Sequence, residues 1–158
     1  MERKAWLGVL VGLLALGGLA TAGVEPSPFK GALGKLGAVL NGLDSVDRRL
    51  EAVLGHPPDP CHPEGTVGRL NAMANELGVL NGRVEAVTGA LPAPAEVPLA
   101  VIEALLAVRE AAAGVADQAG EGMGELPDSC RDALAAVEAA AQRIIGTVNA
   151  YLRGGLPN

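Results

Sequence analysis

The chain has 158 residues, of which 18 are acidic and 12 are basic, and its formal net charge at pH 7 is −6. Only 2% of its residues are aromatic, so it offers few rings on which bases could stack, and its acidic balance repels polyphosphate. These properties exclude nucleic acid as an expected partner, and the length predicts a single domain.

The N-terminus has the order of a secretory signal. Arg3 and Lys4 precede an apolar run over residues 5–20, and Ala20-Thr21-Ala22 provides the small residues of a cleavage site. We therefore predict a signal peptide over residues 1–22 and a secreted or periplasmic protein. The alternative is an uncleaved membrane anchor, because the run approaches the roughly 20 residues that span a bilayer. Removing residues 1–22 takes away two basic residues and one acidic residue and leaves a net charge of −7. We therefore expect membrane contact only through residues 5–22, if they are retained.

Residues 33–55 and 67–89 form a tandem repeat in which ten of 23 positions are identical. In each copy, apolar residues alternate at spacings of three and four, which is typical of two helices that pack along a common line. The first seam is Leu36, Val39, Leu43, Val46, Leu50 and Val53, and the second is Leu70, Met73, Leu77, Leu80, Val84 and Val87. We expect the shared positions to be mainly those of this seam. The pattern predicts helices over residues 28–54 and 64–90, and the prolines after Gly55 end the first.

Two further helices are predicted over residues 96–119 and 130–153. The third carries a seam of Val101, Leu105, Val108, Ala112, Val115 and Ala119, and the fourth one of Cys130, Leu134, Val137, Ala141, Ile144, Val148 and Tyr151. We expect residues 120–124 to fray into a loop, because each glycine inside a helix costs about 1 kcal/mol relative to alanine. Alanine replaces leucine and valine at several seam positions of this second pair.

Residues 27–154 therefore predict an all-α fold: an antiparallel up-down-up-down four-helix bundle with coiled-coil-like seams. An elongated helical hairpin that dimerises is the alternative. Cys61 and Cys130, in an exported chain, predict one disulfide; two free thiols or an intermolecular bridge are the other readings. In the bundle, the loop after helix 1 and the start of helix 4 lie at one end, so the two cysteines can meet.

The loop after helix 1 contains donor atoms of the types that bind zinc or copper, on His56, Asp59, Cys61 and His62. Their spacing matches no metal motif, so metal binding is the weaker hypothesis and no cofactor is expected. Both histidines of the chain lie in this loop, and neither G-x-S-x-G nor H-E-x-x-H occurs. The sequence therefore does not predict an enzyme.

We predict a non-catalytic structural or interaction module, whose partner is another protein of the cell envelope or extracellular space, or a second copy in a homodimer. Arg49, Glu51, Arg83 and Glu85 recur in both repeats; they form either a docking rim for this partner or a solvated, salt-bridged surface. The alternative function is a carrier of a small apolar ligand in an alanine-lined space between helices 3 and 4. Close packing of the two helices is the competing interpretation of those alanines.

Overall fold

A computed structural model describes residues 29–55, 63–124, 126 and 128–154. This part contains four α-helices, which are α1 (Phe29–Gly55), α2 (Gly68–Ala90), α3 (Leu99–Gly122) and α4 (Asp128–Gly154). A π-helical turn at Pro63–Val67 leads into α2, and a 3₁₀ turn at Pro94–Glu96 lies between α2 and α3. The described residues include no strand, so the predicted all-helical class is confirmed.

The apolar seams form the core. All six seam residues of α1, of α2 and of α3 are buried, and so are those of α4 from Cys130 to Val148; only Tyr151, at the end of the last seam, is partly exposed. Each helix buries an apolar face against its neighbours, and this burial, rather than helix propensity, stabilises helices that contain many glycines.

α1 and α4 each pack against both α2 and α3. Consequently α1 lies diagonally opposite α4, and α2 lies diagonally opposite α3. α1 and α2 run antiparallel, because Arg49 near the end of α1 pairs with Glu76 near the start of α2. α3 and α4 are also antiparallel, since Gly122 at the end of α3 lies beside Leu134 in the first turns of α4.

The other two neighbouring pairs are parallel. Leu54 and Gly122, which end α1 and α3, lie beside each other, and Tyr151 near the end of α4 donates a hydrogen bond to the Pro92 carbonyl just after α2, at 2.6 Å. Chain direction therefore alternates from each helix to the next, as predicted, but the bundle is not antiparallel around its whole circumference. Residues 91–98 connect diagonal helices. Eight extended residues reach up to about 26 Å, well beyond the diagonal of helices spaced about 10 Å apart.

The two ends of the bundle differ in what they contain. We call one end the tip; it contains the end of α1, the turn Pro63–Val67, the end of α3 and the start of α4. The other end, the base, contains the start of α1, residues 91–98 and the end of α4. The turn Pro63–Val67 contacts α4, so the chain just after the first helical connection and the start of α4 share an end, as predicted.

The prediction that residues 120–124 fray is wrong for the first half of this segment. α3 continues to Gly122, and backbone N–H groups of Met123 and Leu126 then donate to the carbonyls of Gly120 and Gly122. Leu126 is buried and Met123 packs against the core. Tertiary packing of these two side chains offsets the low helix propensity of the glycines.

Candidate functional site

The loop that carries the metal hypothesis, with His56, Asp59, Cys61 and His62, lies outside the described residues. Within the ranges that the structure does describe, no three His, Cys, Asp or Glu side chains lie close enough together to hold a metal ion. Metal binding by the loop stays a prediction.

Cys130 lies in the first turn of α4, at the tip, and its side chain is fully buried. Its predicted partner, Cys61, is outside the described residues. The intramolecular disulfide therefore also stays a prediction. Cys130 does lie at the tip, which is the end of the bundle where this disulfide requires it.

The predicted rim residues are brought to the surface but not into equivalent contacts. Arg49 forms an ion pair with Glu76 that links α1 to α2, and both side chains remain about two-fifths exposed. Glu85 accepts a hydrogen bond from the Asn81 amide at 3.2 Å. The two copies differ because the position equivalent to Glu76 in the first repeat is a glycine, Gly42. Surface pairs of this kind contribute little to stability.

The identity between the two repeats lies mainly on the surface, contrary to our expectation that it is mainly the seam. Of the ten identical positions, only Leu36/Leu70, Leu43/Leu77 and Val53/Val87 are buried in both helices. The remaining seven pairs are exposed in both helices: Gly34/Gly68, Ala38/Ala72, Asn41/Asn75, Arg49/Arg83, Glu51/Glu85, Ala52/Ala86 and Gly55/Gly89. The buried seam keeps its apolar character while the individual residues change.

The alanines that were expected to line a ligand space are packed. Ala112, Ala119 and Ala141 are all 0% exposed, which means that no gap large enough for a water molecule borders them. In agreement, the backbones of α3 and α4 are in close contact at more positions than those of α1 and α2. A ligand between α3 and α4 would therefore have to separate the helices first.

Polar side chains link the helices at three places. The Gln118 amide on α3 donates to the buried Asp47 carboxylate on α1 at 2.6 Å, with the amide oriented so that its nitrogen faces this acceptor. Thr147 on α4 donates to Asn81 on α2 at 2.6 Å, and Arg109 on α3 donates to Asn149 on α4 at 3.0 Å. In the described part of the chain, every buried side-chain nitrogen or oxygen has a hydrogen-bond partner. These groups hold the helices in register.

The outward faces of α2 and α3, which are diagonally opposite each other, were not predicted from the sequence. The α3 face consists of Leu99, Glu103, Leu106, Glu110, Asp117 and Glu121, and the α2 face consists of Arg69, Asn75, Gly78, Val79, Gly82 and Arg83. Leu99, Val79 and Leu106 are 69%, 56% and 36% exposed, and they are the exposed large hydrophobic residues of the described chain. The seven-residue spacing of the α3 carboxylates is visible in the sequence and could have drawn attention to this face.

Comparisons with known proteins give no identification: no family model, curated protein or solved structure matches the chain. Among the helices that the structure describes, none has both the length and the apolar character needed to cross a bilayer.

Proposed function

We propose that this protein is an exported, non-catalytic helical module that acts by binding another protein of the cell envelope or extracellular space. The observation that supports this most directly is the exposure of the repeated residues. A filled four-helix core fixes two copies of the same surface pattern, including Arg49/Arg83 and Glu51/Glu85, on the neighbouring helices α1 and α2. Side chains displayed on a rigid scaffold form contacts without a large ordering cost.

A partner assay that compares rim variants tests the binding role. Tagged wild-type chain and a variant with Glu51→Lys and Glu85→Lys are incubated with cell-envelope extract, and captured proteins are compared. We expect the variant to lose a protein that the wild type retains, because charge reversal in an interface opposes docking. The matched control is Glu96→Lys with Asp132→Lys, which makes the same change of charge at exposed residues outside α1 and α2. Equal capture by all three proteins would show that the rim residues Glu51 and Glu85 do not dock a partner.

The export of the chain is tested separately. We expect a C-terminally tagged full-length chain to fractionate with envelope or extracellular proteins, and its N-terminal sequence to start after Ala22 if the signal is cleaved. Fractionation with cytosolic markers would contradict the proposed location. Retention of residues 1–22 would instead support the anchored form.

We further propose that Cys61 and Cys130 form a disulfide that fixes the tip. Cys130, the one cysteine in the described part of the chain, is fully buried in the first turn of α4, at the tip, which is where the bridge requires it. The turn that follows Cys61 by two residues packs against α4. A bridge that closes a loop of about 69 residues would stabilise the fold by roughly 4 kcal/mol in the chain-entropy model. Mass spectrometry of the alkylated, unreduced protein checks this proposal, because two alkylated thiols would disprove the bridge.

A further inference from the structure

The α2 face and the α3 face lie on diagonally opposite corners of the bundle and are complementary in character. Single exposed hydrophobic side chains are common on protein surfaces. Here, however, all three large ones in the described chain lie on these two faces: Val79 on the first, and Leu99 and Leu106 on the second. The corresponding outer surfaces of α1 and α4 have none.

The two faces carry opposite charge. The α3 face has four exposed carboxylates, on Glu103, Glu110, Asp117 and Glu121, and no basic residue. Glu103, Glu110 and Glu121 form no ion pair with any residue that the structure describes. A partner that meets this face must therefore bring cations.

The α2 face provides such cations. Arg69 and Arg83 are exposed, and neither has an ion pair among the described residues. Of the two acidic residues of α2, Glu76 pairs with Arg49, whereas Glu85 accepts only from the neutral Asn81 amide and keeps its charge. α2 therefore presents two guanidinium groups against one carboxylate that has no ion pair, and its remaining charge is positive.

A residue of α4 extends this positive side. Arg143 is exposed and lies one turn before Thr147, whose hydroxyl hydrogen-bonds Asn81 of α2. Gly78 and Gly82 lie on either side of Val79 and have open space where a Cβ would be. They leave a flat, small-residue surface on which leucine side chains can pack.

The charge contact and the apolar contact can form together. Glu103 and Leu106 are three residues apart on α3, and Arg83 and Val79 are four residues apart on α2, so each pair lies on one side of its helix about one turn apart. When α3 of one copy runs antiparallel to α2 of the next, Glu103 can therefore pair with Arg83 while Leu106 lies on the apolar and glycine surface around Val79.

We propose that the α3 face of one copy binds the α2 face of a second copy. Because the two faces lie on opposite corners, each added copy leaves one α2 face and one α3 face free. The contact is therefore heterologous, and it continues into a chain or closes into a ring rather than stopping at a two-fold dimer. This inference goes beyond the proposed binding of another envelope protein and does not depend on it.

Sedimentation of the oxidised full chain tests the proposal. We expect species larger than a dimer that increase with protein concentration and decrease with added salt, because the contact depends on exposed charges. Arg83→Glu and Glu103→Arg, each alone, should weaken association on the order of tenfold or more. An equimolar mixture of the two variants should associate again, since each restores a charge pair with the other.

Arg153→Glu is the matched control, because Arg153 is an exposed α4 residue without an ion pair among the described residues, and this variant should associate like the wild type. Non-reducing electrophoresis under denaturing conditions should show monomers, because an intermolecular disulfide would survive these conditions and the proposed non-covalent contact would not. Circular dichroism of each variant checks that it is folded. The proposal is overturned if the wild type stays monomeric at every concentration, if association stops at a dimer, or if the mixed variants fail to associate.

Discussion

The two helical hairpins of this bundle solve the same packing problem with side chains of different size. α1 and α2 meet through leucine, valine and methionine, and their backbones are in close contact at fewer positions than those of α3 and α4, which together contain nine buried alanines. Both halves are nevertheless filled. The comparison teaches that small seam residues shorten the distance between helices instead of leaving a cavity, because interiors pack to a nearly constant density.

The largest effect is expected from truncating the large seam of the first hairpin. Leu43 and Leu77 are identical repeat positions and both are 0% exposed. Leu43→Ala or Leu77→Ala should lower the free energy of unfolding by about 2 to 5 kcal/mol, as measured by urea denaturation. Asn41→Ala and Asn75→Ala, on the exposed side of the same helices, should change it by no more than about 0.5 kcal/mol. Equal losses at the two kinds of position would mean that the buried faces are assigned incorrectly.

Enlarging the small seam of the second hairpin should also destabilise the protein. Ala112→Leu or Ala141→Leu forces a larger side chain between helices whose spacing depends on alanine, and we expect a loss of about 1 to 3 kcal/mol. Ala136→Leu on the exposed surface of α4 is the control and should be nearly neutral. If Ala141→Leu were instead stabilising, a space would exist between α3 and α4, and the ligand-carrier hypothesis would gain support.

Glycine-to-alanine variants test how closely the helices pack at individual positions. A Cβ on Gly122 would lie 2.5 Å from Leu54 and 3.3 Å from Leu134, so Gly122→Ala requires both side chains to shift and should cost about 1 kcal/mol. Gly114→Ala, in the same helix, meets nothing within 4 Å and should gain about 1 kcal/mol from higher helix propensity. Thermal unfolding of the two variants measures the difference, and a gain at Gly122 would show that the packing there is looser than described.

The seams could be predicted from the sequence, because the spacing of apolar residues along a helix indicates which of its faces is buried. Leucine and valine at intervals of three and four identified one buried stripe on each helix. They did not identify the second buried stripe of α3, formed by Ala104, Ala107 and Ala111, because alanine occurs on buried and exposed faces alike. The arrangement of the helices around the bundle could not be read in this way. Residues 91–98 are long enough to reach either a neighbouring or a diagonal position, and the choice depends on tertiary contacts such as that between Tyr151 and Pro92.

The surface could be predicted least. The sequence showed that Arg49 and Arg83 repeat, but not that Arg49 finds Glu76 while Arg83 has no ion pair in the described chain. Partners across helices depend on the rotation of each helix, which local patterns do not encode. The same holds for the α2 and α3 faces, since a net charge of −6 says nothing about how cations and carboxylates are divided between opposite corners.

The smallest effect concerns the contact that fixes the diagonal connection at the base. Partial burial, and secondarily the nearby Glu96 carboxylate, raise the pKa of Tyr151 above its ordinary value of 10.0. The neutral phenol, which donates to Pro92, is therefore the form that the folded state favours. Its contribution to stability is complete below pH 10 and is lost as the pH rises through the raised pKa.

We therefore expect Tyr151→Phe to cost about 0.5 to 1.5 kcal/mol at neutral pH and to lessen the loss of stability that the wild type shows above pH 10. The difference between wild type and variant is the informative quantity, because it isolates the contribution of the phenol hydroxyl. Tyr151 is the sole tyrosine of the chain, and the ultraviolet absorbance of its phenolate reports its titration directly. The pKa should fall towards 10 in Glu96→Gln. A wild-type pKa at or below 10 would show that the hydroxyl is solvated and that Pro92 is not its partner in solution.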